Sequence, residues 1–203
     1  MKSRLPSDEF LACQVKAELR KRMRALRNTM PEASRAARSE SICKRVCDLV
    51  CTLAHAQTIA LFWPIDERKE VDVRAIDKWL REQRKTVCYT SIAEGELVFH
   101  PVDDLTLLQE RGFGFAEPPR DCPFVPIAEL DVVVAPALAV DDTGYRLGYG
   151  AGYYDRALAK VSLNAASIAV AYDFQRVIEL PRTDRDMPVH WVVTDARVVR
   201  VSN

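Results

Sequence analysis

The sequence predicts an α/β protein: a single three-layer domain over residues 1–203, in which helices flank a largely parallel, partly mixed central sheet. Short apolar runs of strand length alternate with segments whose apolar residues recur at helical spacing, and this pattern is typical of a parallel sheet with helical crossovers. A chain of 203 residues has room for one substantial hydrophobic core. The sequence contains neither an internal repeat nor a low-complexity segment.

Two helices are predicted near the N-terminus. The first spans 12–28, where Lys and Arg are interspersed with apolar residues at helical spacing: Val15, Leu19, Met23 and Leu26. Pro31 is typical of the first turn of a second helix, which extends to about residue 53. Three cysteines recur there every four residues, and without a fourth ligand or CxxC spacing we expect reduced, core-packed thiols rather than a zinc site: Cys43, Cys47 and Cys51.

The middle of the chain alternates between strands and one helix. The apolar run "TIALFWP" at 58–64 ends in proline and predicts a buried strand. Residues 71–85 predict a helix whose inward side chains are Val73, Ile76, Trp79 and Leu80. Strands are expected at 85–90 and 96–102, and residues 104–111 allow a short helix at most.

The remaining elements follow a proline-rich stretch. Residues 116–126 hold four prolines and predict an extended crossing loop. The apolar run at 131–140 predicts another buried strand, and a helix is expected at 153–161. Three further strands complete the predicted sheet: 167–172, 190–194 and 196–201.

The segment "RLGYGAGYYDR", residues 146–156, contains three of the chain's seven glycines and lies between a predicted buried strand and a helix. Glycine permits positive φ and close approach of a ligand to the main chain, and successive N–H groups before a helix form an anion site. The segment therefore indicates a phosphate cradle, with Arg146 beside it and Asp155 available to a divalent cation. A tight turn that needs glycine only for packing explains a bare G-x-G-x-G equally well.

Charge and hydropathy narrow the functional classes. The net charge is zero, but residues 1–50 carry 12 basic and 6 acidic side chains. The basic cluster "KAELRKRMRALR" suits nucleic acid, a phosphorylated small molecule, or simply a solvated helix face. No apolar run reaches the length of a membrane span, and the N-terminus lacks the apolar core of a secretory signal. We therefore expect a cytoplasmic protein with no membrane contact.

Several segments, in order along the chain, resemble the 5-formyltetrahydrofolate cyclo-ligase family. "RLGYGAGYYDR" resembles the family's signature, and "KAELRKRMRALR" resembles its N-terminal basic helix. "EVDV", "GFAEP", "DVVVAPALAVDDTGYRLGYG" and "LPRTDRDMPVHWVVT" resemble further family segments. The resemblance covers about residues 12–195. It implies an enzyme that uses ATP and Mg²⁺ to convert 5-formyltetrahydrofolate into 5,10-methenyltetrahydrofolate, ADP and phosphate, through phosphorylation of the formyl oxygen.

The resemblance also implies roles for residues on the nucleotide side. Lys16 and Arg20 would reach the ATP phosphates, whereas Arg24 and Arg27 fit a solvated cationic face. Lys16 and Arg146 are the implied catalytic residues, and Arg146 would stabilise transition-state charge. Asp155 and Asp186 would hold Mg²⁺. The implied ATP cradle comprises Arg146, Leu147, Gly148, Tyr149, Gly150, Ala151, Gly152, Tyr153 and Tyr154.

On the folate side, the resemblance implies that Glu70 hydrogen-bonds the pterin ring and that Trp63 lines the pterin or benzoyl slot. A core aromatic at the end of a strand explains Trp63 equally well. Residues 149–153 would border the folate as well. The chain is about two residues longer before "EVDV", so Glu67 is an alternative to Glu70. Val73 stands in place of the usual Thr, and such departures collect on the folate side.

Two alternatives to the cyclo-ligase remain at this point. One is a divergent ATP-dependent relative that acts on another acyl or pterin substrate. The other is a module that binds folate or nucleotide without turnover. We expect small-molecule substrates, a monomer, and no nucleic-acid partner.

Overall fold

A computed structural model describes residues 8–112 and 114–201. Residues 1–7, which belong to the segment predicted to lack a secretory signal, lie outside this range. The described residues contain the helices α1 (Asp8–Asn28), α2 (Glu32–Thr52), α3 (Arg74–Glu82) and α4 (Tyr153–Leu158). None of these helices is both long and apolar enough to cross a membrane. The strands in chain order are β1 (Thr58–Leu61), β2 (Thr86–Ala93), β3 (Glu96–Pro101), β4 (Gln109–Glu110), β5 (Ala116–Glu117), β6 (Val132–Pro136), β7 (Ala139–Val140), β8 (Arg146–Leu147), β9 (Ala166–Val170), β10 (Trp191–Val193) and β11 (Val198–Arg200).

Seven strands form one sheet in the order β11-β10-β9-β6-β1-β2-β3. The five central strands are parallel, and β3 and β11 pair antiparallel at the two edges. The predicted α/β class with a largely parallel, partly mixed sheet is therefore confirmed.

The sheet separates two apolar cores because successive strand residues face opposite sides. Ile59 and Leu61 of β1 pack with α2 and α3, whereas Ala60 packs on the other face with Leu158 of α4. A third cluster lies between α1 and the small β7–β8 hairpin, where Met23 contacts Leu147. Helix α1 therefore packs across the hairpin rather than on the face of the sheet.

The inward face of α1 differs from the predicted one. Val15 and Leu26 are 48% and 42% exposed, while Lys16, Met23 and Arg27 are buried. The expectation of a solvated Arg27 is wrong, because this side chain is only 2% exposed. Apolar spacing alone misplaced the face, since two of its inward positions carry cations.

Several segments are shorter or more broken than predicted. The expected strand at 131–140 ends at Pro136, and its last residues form β7, which pairs with β8 instead of the main sheet. Proline cannot donate a ladder hydrogen bond, which explains the break. The segment 104–111 contains a 3₁₀ turn, Leu105–Leu107, and the proline-rich stretch begins with β5. Of the helical cysteines, Cys43 is buried as expected, whereas Cys51 is exposed.

Candidate active site

A cleft of about 950 Å³ opens at the carboxyl ends of β1, β2 and β6. The chain continues from β1 to β2 on one side and later enters β6 on the other, so the cleft lies where the strand order reverses. Ligands of open parallel sheets bind at such a point. Every residue that the sequence analysis assigned to ATP, folate or metal lines this cleft: Lys16, Arg20, Trp63, Glu70, residues 146–155 and Asp186.

The glycine segment forms a loop between β8 and α4. Gly150 and Gly152 have φ values of +113° and +68°, in the region that favours glycine. Gly148 needs no positive φ, but a Cβ there would meet no atom within 4 Å, so this position keeps space open. In the described part of the chain, residues 148–152 donate no main-chain hydrogen bond to another main-chain group. The loop therefore offers free N–H groups, as an anion cradle requires.

Two arginines hold this loop by its carbonyl groups. Arg20 Nε donates to the Gly148 oxygen at 2.8 Å, and Arg156 Nη1 donates to the Ala151 oxygen at 2.9 Å. Helix α1 is thereby tied to the loop by the same side chain that was predicted to reach phosphate.

Arg146 is the buried cation of the site. Its side chain donates to the Met187 carbonyl at 2.9 Å and to Asp155 Oδ1 at 3.2 Å. Burial lowers the pKa of Arg146, and Asp155 opposes that change. An arginine stays protonated over the whole working range of an enzyme, so the guanidinium is a fixed positive charge with little competing water.

A second ion pair crosses the cleft from α1. Lys16 Nζ lies 2.5 Å from Asp186 Oδ2, which also accepts hydrogen bonds from the N–H and hydroxyl of Thr183. Burial alone would raise the pKa of Asp186, but the bonds from Lys16 and Thr183 outweigh it and lower the pKa. Two of the three cations predicted to meet phosphate, Lys16 and Arg146, are therefore each paired with a carboxylate predicted to meet metal.

The two carboxylates fit a magnesium ion. Mg²⁺ prefers oxygen ligands and is commonly held by one or two carboxylates together with substrate phosphates and water. The described contacts of Asp155 and Asp186 use one oxygen of each carboxylate and leave Oδ2 and Oδ1, respectively, without a hydrogen-bond partner in the described part of the chain. Among the described residues no group of three or more metal-ligating side chains occurs. Phosphate and water would therefore complete the ligand set.

Glu70, in the segment between β1 and α3, lines the same cleft. It is 3% exposed, and its Oε2 accepts the N–H of Ile65 at 3.0 Å. Burial raises the pKa of Glu70, against the opposing effect of the Ile65 N–H and of nearby cations. Glu67 is exposed and does not line the cleft, so the geometry favours Glu70 as the inward carboxylate.

Aromatic rings complete this part of the cleft. Trp63 is half-buried and packs edge-to-face on Tyr89, with ring centroids 5.7 Å apart. Arg68 lies 4.6 Å from the centroid of the Tyr149 ring. Burial and the charge of Glu70 raise the pKa of Tyr149 to about 12, so its hydroxyl stays protonated. A flat, amphipathic ligand would find rings to stack on and a carboxylate to accept its donors.

Sequence comparison agrees with this geometry. Residues 12–195 match the sequence model of the 5-formyltetrahydrofolate cyclo-ligase family. The chain belongs to the 5-formyltetrahydrofolate cyclo-ligase family. The predicted resemblance is confirmed, and the protein is an enzyme of this family.

Individual members of the cyclo-ligase family show how far the likeness extends. A 5-formyltetrahydrofolate cyclo-ligase of Escherichia coli (strain K12) is 32% identical over 151 residues, which is 70% of this chain and 80% of that protein. A cyclo-ligase of Mycolicibacterium smegmatis is 44% identical over 88 residues, but the match spans only 42% of this chain and 44% of that protein. The solved 5,10-methenyltetrahydrofolate synthetase of Aquifex aeolicus has a TM-score of 0.80 at 31% identity and covers 93% of this chain and 94% of that one.

The structure of this cyclo-ligase family member adds residues that the sequence analysis missed. Arg68 and Arg156 line the cleft, and Arg27 lies directly behind it and hydrogen-bonds Tyr149. Arg27 follows Lys16 by eleven residues and Arg20 by seven, so all three fall on one helical face. This spacing was a usable signal for Arg27, but the rule that cationic helix faces are solvated concealed it.

Proposed function

We propose that this enzyme closes the ring of 5-formyltetrahydrofolate to give 5,10-methenyltetrahydrofolate, at the expense of ATP. One observation carries the proposal. A single cleft contains a free-amide glycine loop flanked by cations together with a buried carboxylate beside aromatic rings. Such a cleft suits two substrates, one polyanionic and one flat with hydrogen-bond donors, held side by side.

The chemistry explains why both must meet. The formyl oxygen attacks the γ-phosphorus of ATP and ADP departs. The N10 nitrogen then attacks the activated formyl carbon, phosphate leaves, and N10 loses its proton to give the methenyl bridge. The chain has no covalent step to perform, so its contribution is positioning and charge stabilisation.

Individual residues have separate roles in positioning the substrates and stabilising charge. Lys16 and Arg20 bind phosphate oxygens, and residues 148–154 cradle them with main-chain N–H groups. Arg146 stabilises the charge that develops on the transferred phosphoryl group. Asp155 and Asp186 would hold Mg²⁺, which would neutralise phosphate charge. Lys16 and Arg146 are each paired with one of these carboxylates, so the cations that would bind phosphate and the carboxylates that would hold Mg²⁺ lie side by side.

The folate side uses the other half of the cleft. The Glu70 carboxylate accepts hydrogen bonds from the amino and ring N–H groups of the pterin. Trp63 and the residues 149–153 form the walls of the slot. The glycine segment therefore borders both substrates, which brings the formyl oxygen to the γ-phosphate.

The test uses purified protein, Mg-ATP and 5-formyltetrahydrofolate. The expected result is a rise in the absorbance of methenyltetrahydrofolate, with one phosphate released for each product molecule. ATP consumption without that product would instead indicate a relative with another substrate, an alternative motivated by the sequence departures around Trp63 and Glu70. Saturable binding without turnover of either substrate would reject an enzymatic role in this reaction.

A further inference from the structure

Arg27 is a buried cation whose position the proposed chemistry does not explain. It lies in the last turn of α1, is 2% exposed, and ranks among the largest fully buried side chains. In the described part of the chain it has no carboxylate within ion-pair distance, and its Nε has no hydrogen-bond partner. A buried charge without a direct partner is costly. Such a charge is therefore expected to act on another group of the site.

The contact of Arg27 is the Tyr149 hydroxyl, in the centre of the glycine segment. Arg27 Nη2 donates to this oxygen, and the guanidinium carbon lies 5.8 Å from the ring centroid. The hydroxyl has one hydrogen to donate in turn, and its interaction with the Glu70 carboxylate lowers the pKa of that carboxyl against the effect of burial. Arg27, Tyr149 and Glu70 thus form a chain from α1 through the loop to the folate half of the cleft.

The charged and titratable groups that act on Glu70 come from several segments. Arg27 approaches from α1, Arg68 from its own segment, Tyr149 from the glycine loop and Tyr154 from α4. Arg68 is exposed, so water and salt screen its charge, whereas Arg27 is buried and unscreened. Arg27 is therefore the cation that most effectively opposes the effect of burial on this carboxylate.

We propose that Arg27 is a positioning residue for the pterin: acting through the Tyr149 hydroxyl, it keeps the Glu70 carboxylate oriented and ionised although it lines no part of the cleft itself. The identification of the pterin as ligand rests on the proposed function. An ionised, fixed carboxylate accepts two donors of a guanidine-like edge, whereas a protonated one loses acceptor capacity. Nucleotide binding is assigned to main-chain N–H groups of the loop and to Lys16, Arg20 and Arg146, whereas the Arg27 side chain hydrogen-bonds only the Tyr149 side chain among the described residues.

The central test compares Arg27→Gln and Arg27→Lys with Arg22→Gln, which removes an exposed arginine from the same helix. For Arg27→Gln we expect KM and Kd for 5-formyltetrahydrofolate to rise about ten- to hundredfold, the range for loss of a charge-assisted hydrogen bond. KM for ATP should change less than about threefold, and the acidic limb of the pH profile of kcat/KM for folate should move to higher pH. Arg27→Lys should recover part of the loss, and Arg22→Gln should behave as wild type. Equal increases in both KM values, or a lower melting temperature with unchanged KM values, would overturn the proposal.

The Tyr149 bridge provides a second test that also covers a poorly folding Arg27 variant. If Arg27 acts through the hydroxyl, Tyr149→Phe should raise KM for folate, and Arg27→Gln should add little to it. Non-additivity of this kind is what a double-mutant cycle measures for groups in one chain. Fully additive losses would show that Arg27 acts by another route.

A ligand-free measurement separates this proposal from the proposed function. Carbon-13 NMR can follow the Glu70 carboxyl during a pH titration, with Glu70→Gln to assign its signal. Arg27→Gln should raise the pKa of Glu70 above its wild-type value even if the enzyme turns out to use a different substrate. An unchanged titration would reject the link between Arg27 and Glu70, whereas absence of 5-formyltetrahydrofolate binding by the wild type would reject only the proposed ligand.

Discussion

Arg146 illustrates how one buried guanidinium can serve both structure and chemistry. Its side chain is anchored to the Met187 carbonyl and to Asp155, so its position is set before any ligand arrives. We expect Arg146→Ala to lower kcat by about 10³-fold, because arginines that stabilise phosphoryl transfer contribute about 10³ to 10⁵. Single-turnover kinetics with saturating substrates would measure the chemical step directly.

The matched control for this prediction is Arg176→Ala. Arg176 forms an ion pair with Asp142 on the surface, away from the cleft, so the variant should retain near wild-type kcat. Circular dichroism should show both variants folded. If Arg146→Ala lost less than tenfold in kcat, the role assigned to Arg146 would have to be abandoned.

The ionised form of Glu70, which is proposed to bind folate, also lowers the stability of the folded protein. Its pKa is raised in the folded protein, so the folded state holds the proton more tightly than the unfolded chain does. Ionisation of Glu70 therefore costs stability, and the cost develops as pH rises from the ordinary glutamate pKa through the raised one. At neutral pH we expect Glu70→Gln to increase the melting temperature while it weakens folate binding.

The pH dependence makes this prediction specific. The difference in melting temperature between Glu70→Gln and wild type should shrink as pH falls below the raised pKa, because the wild-type carboxyl is then also neutral. Thermal denaturation between about pH 4 and 8 would measure it. A variant that is less stable at neutral pH would mean that Arg27, Arg68 and the Ile65 N–H outweigh burial.

The sequence predicted the lining residues well because their identities carry chemistry. Arg146, Asp155 and Asp186 lie in a family segment, and the structure brings all three into one cleft. The pairing of Lys16 with Asp186 could not be predicted, because it joins residues 170 positions apart in the chain. The pairing of Arg146 with Asp155 spans nine positions but depends on how the glycine loop folds. Arg27 was missed for the related reason that burial of a charge is decided by tertiary packing.

At the scale of elements, Gly148 and Gly150 have different roles in the loop. Gly150 has φ +113°, so any side chain there is strained, whereas Gly148 has no positive φ and faces open space. We expect Gly150→Ala to cost about 1–3 kcal/mol in the free energy of unfolding. Gly148→Ala should leave it nearly unchanged but weaken ATP binding, because the added methyl group enters the cleft.

Urea denaturation and calorimetric titration with ATP would separate these two effects. The pair of variants is matched, since each adds one methyl group to the same loop. If Gly150→Ala were as stable as wild type, the positive φ at residue 150 would not require glycine, and both glycines would serve close approach alone.

Helix α1 and strand β6 are two elements that the sequence predicted only in part. The amphipathic pattern of α1 predicted a helix in the right place but the wrong face, because Lys16 and Arg27 point inward toward the site. Such violations of binary patterning are expected where function demands buried charge. The end of β6 at Pro136 was readable from the sequence, whereas the pairing of β7 with β8 depends on α1 packing over the hairpin.

For the whole molecule, the fold was predictable because strands and helices alternate with strong periodicity. The order of the strands was not, since it depends on which edges the crossovers reach. That order places β1 beside β6 and opens the cleft between them, with α1 as one wall. The binding of each ligand can therefore be followed separately, in the part of the cleft that it is predicted to occupy.

Hydrogen exchange measured over the whole chain, with and without each ligand, would locate the two binding regions. Amides of β1, β6 and β9 lie in the centre of the parallel sheet and should exchange slowest with or without ligand. Mg-ATP should slow exchange in residues 148–154, because their N–H groups are predicted to bind phosphate. The folate should slow exchange mainly in residues 62–70.

A second hollow lined by Ser91, His100 and Phe124 provides the internal control, because no ligand is predicted there. Protection of that hollow by Mg-ATP, with residues 148–154 unaffected, would contradict the assignment of the glycine loop to the nucleotide.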